Sequence, residues 1–144
     1  MSRSFTATGD IAVSRFVALD SSADYAVAQC GANGRAIGVS QMGGYIHPLL
    51  DTSDPPLAAK DGMQLQVIQP DDPNGGGALV EYGGTITAGA PLKSDADGKA
   101  VAATLVSGIV GPGQIIVARA LESGTAGTKG FVKLLTFETA TDPD

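Results

Sequence analysis

The chain offers little to a catalytic mechanism. Cys30 is its one cysteine and His47 its one histidine. A structural zinc ion usually takes four Cys or His ligands and a catalytic one about three protein ligands, so this pair can assemble neither site. Cys30 precedes the turn-like run Gly31-Ala32-Asn33-Gly34, but a thiol nucleophile there would need a base, and His47 sits before Pro48 in a separate segment. A small apolar filler at Cys30 and a locally bonded loop residue at His47 are the simpler readings. Carboxylate chemistry fares no better. Glu81, Glu122 and Glu138 are the glutamates from which a glycosidase pair would be drawn, and the chain has no tryptophan on which a sugar ring would stack. These glutamates read as solvent-facing strand residues. Asp95-Ala96-Asp97-Gly98 resembles the start of a calcium loop, yet the position where an EF-hand closes with Glu is Val106, and a hairpin turn explains the run. Gly108–Gly113 spells Gly-x-x-Gly-x-Gly rather than a dinucleotide fingerprint, and no phosphate loop or Gly-x-Ser-x-Gly elbow occurs. No enzymatic activity, cofactor, metal or small-molecule substrate is expected.

The elements that would position such residues are short strands. The chain has 144 residues, 43% apolar and 17% charged, which suits one compact folded domain rather than a disordered polyelectrolyte. Glycine supplies 20 residues and the aromatics are only three Tyr and four Phe, implying many turns and a core of small side chains. Nine basic against 15 acidic residues leave a net charge of −6, so no nucleic-acid partner is expected. The opening Met1–Thr6 lacks the apolar core of a secretory signal. The uncharged stretch Ala100–Ala118 is broken by Gly108, Gly111, Pro112 and Gly113, which argues against a membrane helix. A soluble protein made in the cytoplasm is expected.

Runs of four to seven β-prone residues are bounded by Gly, Asp, Ser or Pro, and no extended helical periodicity is present. The fold class predicted is all-β, a compact sandwich or barrel of short antiparallel strands built from two weakly similar halves. Ile11–Asp20 followed by Tyr25-Ala26-Val27-Ala28 aligns with Ile86–Asp95 followed by Lys99-Ala100-Val101-Ala102. Each half continues into an apolar strand, Arg35–Val39 or Ile115–Leu121, and closes with an alternating one, Gln64–Ile68 or Phe131–Leu135. The expected organisation is an N-terminal arm over residues 1–8, a β-domain over 9–137 duplicated at about 9–69 and 83–135, an insertion at 41–61, and an acidic tail at 138–144. Pro70–Gly77 reads as a linker between the halves.

On these residues the chain resembles the decoration, or cement, proteins of tailed-bacteriophage capsids. The resemblance rests on Gly84–Val101, on Ala118–Gly124 followed by Phe131–Leu135, and on Arg35–Val39. It spans about Gly9 to Leu135, and the insertion at 41–61 is longer than the family's usual connection. It implies a structural virion protein, made in the bacterial host's cytoplasm, on the outer capsid surface at junctions between major capsid subunits. There it would stabilise the shell against the pressure of packaged DNA, often as a trimer. The residues expected to contact the capsid or a neighbouring protomer are Arg3, Ser4, Phe5 and Thr6 of the N-terminal segment, with Arg3 pairing to carboxylates and Phe5 filling an apolar pocket. Tyr45, Ile46 and Leu49 of the insertion are the second set. The competing reading of the N-terminal segment is that it is simply the first strand. Two other functions compete: a glycan- or receptor-binding virion surface protein, and a biotinyl- or lipoyl-type carrier domain. A carrier would present Lys99 on a hairpin tip, although Gly98 separates Lys99 from Asp97 and carrier domains are shorter.

Overall fold

A computed structural model of the chain describes residues 3–21, 23–32, 34–40, 57–69, 77–103, 105–106, 109–110 and 115–139. Its elements are strands: β1 (Arg3–Ala7), β2 (Ile11–Ala12), β3 (Phe16–Leu19), β4 (Ala26–Gln29), β5 (Gly38–Ser40), β6 (Leu57–Ala59) and β7 (Gln64–Ile68), then β8 (Gly77–Glu81), β9 (Pro91–Ser94), β10 (Ala100–Ala102), β11 (Leu105–Val106), β12 (Ile109–Val110), β13 (Ile115–Ala120) and β14 (Lys129–Thr139). The period-two pattern sets their faces. In β7 Leu65 and Val67 are buried between exposed Gln64 and Gln66, and in β8 Ala78 and Val80 are buried around exposed Leu79. The all-β class expected from the sequence is the class observed.

Five strands of the first half close a barrel in the order β1-β4-β3-β5-β7. β7 returns antiparallel to β1, placing Leu65 opposite Phe5, and β1 runs parallel to β4, placing Thr6 opposite Ala26. The second half forms a five-stranded sheet in the order β10-β9-β13-β14-β8, its two edges meeting at a parallel bridge between Tyr82 and Ala100. The two orders correspond strand for strand. β8 takes the place of β1, β10 of β4, β9 of β3, β13 of β5 and β14 of β7. The connections repeat as well. Ala7 donates its N–H to the Met63 carbonyl (2.8 Å) and accepts from Gly62 (2.8 Å), while Tyr82 donates to Thr128 (2.7 Å) and accepts from Gly127 (2.9 Å). Ser14 and Gly89, each leading into the equivalent strand, both have positive φ, 57° and 90°. Ile11 pairs with Ala59, and Ile86 with Gly124.

The structural repeat therefore runs over 3–68 and 77–139, wider than the 9–69 and 83–135 read from the sequence. The added strands, Arg-Ser-Phe-Thr-Ala and Gly-Ala-Leu-Val-Glu, have no residue in common at register-matched positions, so only pairing reveals their equivalence. Pairing also shifts one alignment. Leu19 faces Val27 and Ser94 faces Ala100, so Val27 rather than Ala26 matches Ala100. Both matched residues are buried, which is what keeps them in register with the core.

Phe5, Ile11, Val17, Val27, Leu65 and Val67 fill the first barrel. A second core holds Val80, Tyr82, Ile86, Leu92, Val117 and Val132, and it also takes in Phe16, Cys30, Ala36 and Val39 from the first half. The halves are thus packed into one body. Close strand approach makes one glycine indispensable. A Cβ on Gly38 would be driven into the backbone carbonyl of Ile68 and the Val67 side chain. Gly38→Ala is expected to destabilise the fold by about 3 kcal/mol, as overpacking against backbone does, whereas Gly84→Ala, which meets open space, changes stability by less than about 0.5 kcal/mol. Urea denaturation of the two variants checks this.

Candidate functional site

The most elaborate polar arrangement joins the two halves. Arg15 lies in the turn before β3, and its side chain is only 5% exposed. Its Nη1 donates to the Asp97 carbonyl at 2.9 Å, and its Nη2 to Glu81 Oε1 at 3.3 Å. Lys99 Nζ approaches the other Glu81 oxygen at 3.5 Å. Gln29 donates from Nε2 to the same Asp97 carbonyl at 2.9 Å. Backbone bonds complete the joint, with Phe16 donating to Gly98 (2.8 Å) and Glu81 to Ser14 (3.0 Å). Gly98 has φ +78°, and a Cβ there would stand 3.0 Å from the Phe16 carbonyl, so this turn position both needs glycine's left-handed backbone and has little room. Ser40 holds the Arg15 backbone, its hydroxyl accepting from the Arg15 N–H (3.1 Å) and donating to the Ala12 carbonyl (2.7 Å). No group of three or more potential metal ligands occurs among the described residues.

The residues singled out in the sequence are dispersed across this body. Arg3, Ser4, Phe5 and Thr6 lie on β1, inside the closed barrel rather than on a separate arm. Phe5 is 4% exposed and belongs to the first core, where its ring stands 6.3 Å from that of Tyr25. Its expected role as an anchor in a partner's pocket gives way to a role in the protein's own core. Thr6 is exposed. Tyr45, Ile46 and Leu49 lie outside the described residues, as do most of the 41–61 insertion and of the acidic tail. Asp95 Oδ1 accepts from the N–H groups of Asp97 (2.8 Å) and Lys99 (2.9 Å), so the acidic run is a hairpin turn. That hairpin packs against Phe16 and Arg15, and Lys99 is engaged by Glu81. The carrier-domain reading, which requires Lys99 at a projecting tip, is corrected by this geometry. Cys30 is buried, and burial pushes its thiol pKa up, with hydrogen bonds from Ser94 and Gly31 opposing the shift.

What the sequence did not single out is the distribution of exposed apolar side chains. Leu79, Phe131 and Leu121 face one another across β8, β14 and the end of β13: Phe131 pairs with Leu79, and Leu121 donates its N–H to the Phe131 carbonyl at 3.0 Å. Phe131 is 53% exposed and Leu121 57%. Lys129 and Lys133 flank Phe131 on its own strand, Arg119 pairs with Lys133, and Lys93 lies on the same outward face of β9. A second exposed apolar group, Leu19, Tyr25 and Met63, lies at one end of the first barrel beside Asp10, Asp20, Asp24 and Asp61. The ends of β1 and β3 and the starts of β4 and β7 converge there, with Thr6 donating to the Tyr25 carbonyl and Ala7 to that of Met63, both at 2.8 Å.

No family model and no curated protein matches the chain. A solved structure does: the crystal structure of the head fiber gp8.5 N base of bacteriophage phi29, with a TM-score of 0.65 and 17% identity over 94% of each chain. The fold is shared with a phage head-fiber base. At this identity the likeness speaks for the fold alone, and its extent matters most. A match over 94% of both chains takes in both halves of the repeat.

The placement of β1 and Cys30 yields two expectations. Deleting residues 2–8 removes a barrel strand and is expected to prevent folding of the first half. Phe5→Ala costs about 3–5 kcal/mol and Thr6→Ala less than about 0.5 kcal/mol, measured by chemical denaturation. The Cys30 thiol is expected to be inert to Ellman's reagent in the folded protein and to react in step with the loss of β-sheet circular dichroism. Rapid labelling without unfolding would contradict the burial.

Proposed function

We propose that the protein is a structural component attached to the outside of a phage head, where it binds major capsid subunits at their junctions and stabilises the shell. The observation that carries this reading is the likeness over nearly the full length of both chains to the N base of a head fiber. Supporting it are the sequence resemblance to capsid decoration proteins and a rigid β body whose polar joint is occupied in holding its halves together. In this reading the role is non-catalytic and no cofactor is needed.

The mechanism is linkage. A protein that binds the assembled lattice but not dissociated subunits lowers the free energy of the assembled state, and so raises the temperature and internal pressure at which the shell fails. A trimer engaging several subunits would multiply that effect by avidity. The proposed shell contacts are Arg3 and Ser4 of β1, exposed Thr6 on the same strand, and Tyr45, Ile46 and Leu49. Phe5 is excluded by its burial. A glycan- or receptor-binding surface protein remains the rival, and the two differ in what they do to the shell.

The test uses heads assembled without this protein, from the phage whose genome encodes it. The purified chain is expected to co-sediment with them at a saturating stoichiometry and to raise their thermal rupture temperature. Absence of binding overturns the proposal. Saturable binding with an unchanged rupture temperature removes the stabilising role and favours the rival.

A further inference from the structure

The two exposed apolar groups differ in sign of charge, and that difference points to what covers them. The row Leu79–Phe131–Leu121 lies beside Arg119, Lys129 and Lys133, cations in a chain of net charge −6, with Glu122, whose carboxylate accepts from the Phe131 N–H at 2.8 Å, and Glu81, opposite Lys129, as the nearby anions. The group Leu19, Tyr25 and Met63 is bordered by Asp10, Asp20, Asp24 and Asp61, with Lys60 as the nearby cation. The repeat supplies an internal control. At the register position of Phe131 the first barrel carries Gln66, at that of Lys129 it carries Gln64, and at that of Leu79 it carries Ser4. The same scaffold therefore folds with polar residues in the row, and the apolar, basic version serves something other than folding.

We propose that the basic-bordered row of the second half docks onto the acidic-bordered end of the first barrel in another copy of this chain. The occupant is a second copy because one molecule carries both complementary partners, an apolar row whose border holds more cations than anions and an apolar group whose border holds more aspartates than cations. Opposite borders steer the encounter and fix its register, while the apolar centre supplies the affinity. Since the two faces are different patches, the contact is heterologous and proceeds head to tail, closing a ring when the rotation per copy allows. This gives the oligomer of the proposed function its contact faces without requiring a shell, so isolated protein suffices to test it.

The experiment is sedimentation velocity on the whole chain between low and high salt. The wild type is expected to form a discrete species larger than a monomer, weakened as salt screens the borders. Lys129→Glu with Lys133→Glu, and separately Asp10→Lys with Asp24→Lys, are each expected to weaken association about tenfold or more. Combining all four substitutions in one chain is expected to restore it, because the signs are exchanged rather than lost. Phe131→Gln, which installs the residue that the first barrel tolerates at this register, is expected to weaken association while leaving the melting temperature within a few degrees, and it serves if a charge variant misfolds. A wild type that stays monomeric, an oligomer indifferent to Phe131→Gln, or a four-fold variant that folds but does not reassociate overturns the proposal.

Discussion

A buried guanidinium must have its charge answered from within the protein, and for Arg15 the answers to Nη1 and Nη2 come from the opposite half of the chain, while its buried Nε has no hydrogen-bond partner among the described residues. Its acceptors are the carbonyl of Asp97 and the carboxylate of Glu81, both in the second half, while Ser40 fixes its backbone from the first. Removing one member of a buried pair of this kind commonly costs about 3–5 kcal/mol, because the charge left behind is neither hydrated nor paired. Separating the halves would strand Arg15 in the same way, and it would also expose Phe16, Cys30 and Val39, which lie in the second half's core. Polar and apolar terms thus act at one place and in one direction. The relative position of the two halves is part of the fold, rather than a property of a linker.

That fixed relation gives the internal repeat its use. Duplication supplies two copies of one strand order, and within each copy the inward-facing residues are constrained by packing while the outward ones are free to diverge. Val67 and Val132 occupy the same buried register position, whereas their neighbours Gln66 and Phe131, both exposed, differ in polarity. One body can thereby display two unlike surfaces at a set separation. The proposed attachment role would use that property, since a protein in that role must meet a lattice and its own neighbours at the same time.

Much of the architecture was legible in the sequence, for a physical reason. Alternation such as Gln64-Leu65-Gln66-Val67 is the direct imprint of a half-buried strand, and Asp97-Gly98 marks a hairpin because its glycine adopts positive φ. The repeat was visible where loops and buried residues coincide, as at Ile11 and Ile86. It was lost at β1 and β8, where Phe5 and Val80 fill equivalent core positions with unlike side chains. The misplacement of Phe5 has the same origin. A terminal aromatic reads equally as an anchor for a partner or as the first core residue, and only closure of β1 against β7 decides between them. The joint could not be read at all, because Arg15, Glu81 and Asp97 are brought together by packing and carry no spacing signal. The exposed row was hidden in the same way: Leu79, Leu121 and Phe131 become neighbours only through cross-strand register.

The proposed attachment requires both halves to meet the head as one rigid body, and electron cryo-microscopy of heads saturated with the protein observes this directly. The result expected is density for two similar lobes per chain on the outer shell surface, held in the single mutual orientation that the Arg15 joint imposes. Bare shells, or one ordered lobe with the other averaged away, would contradict it.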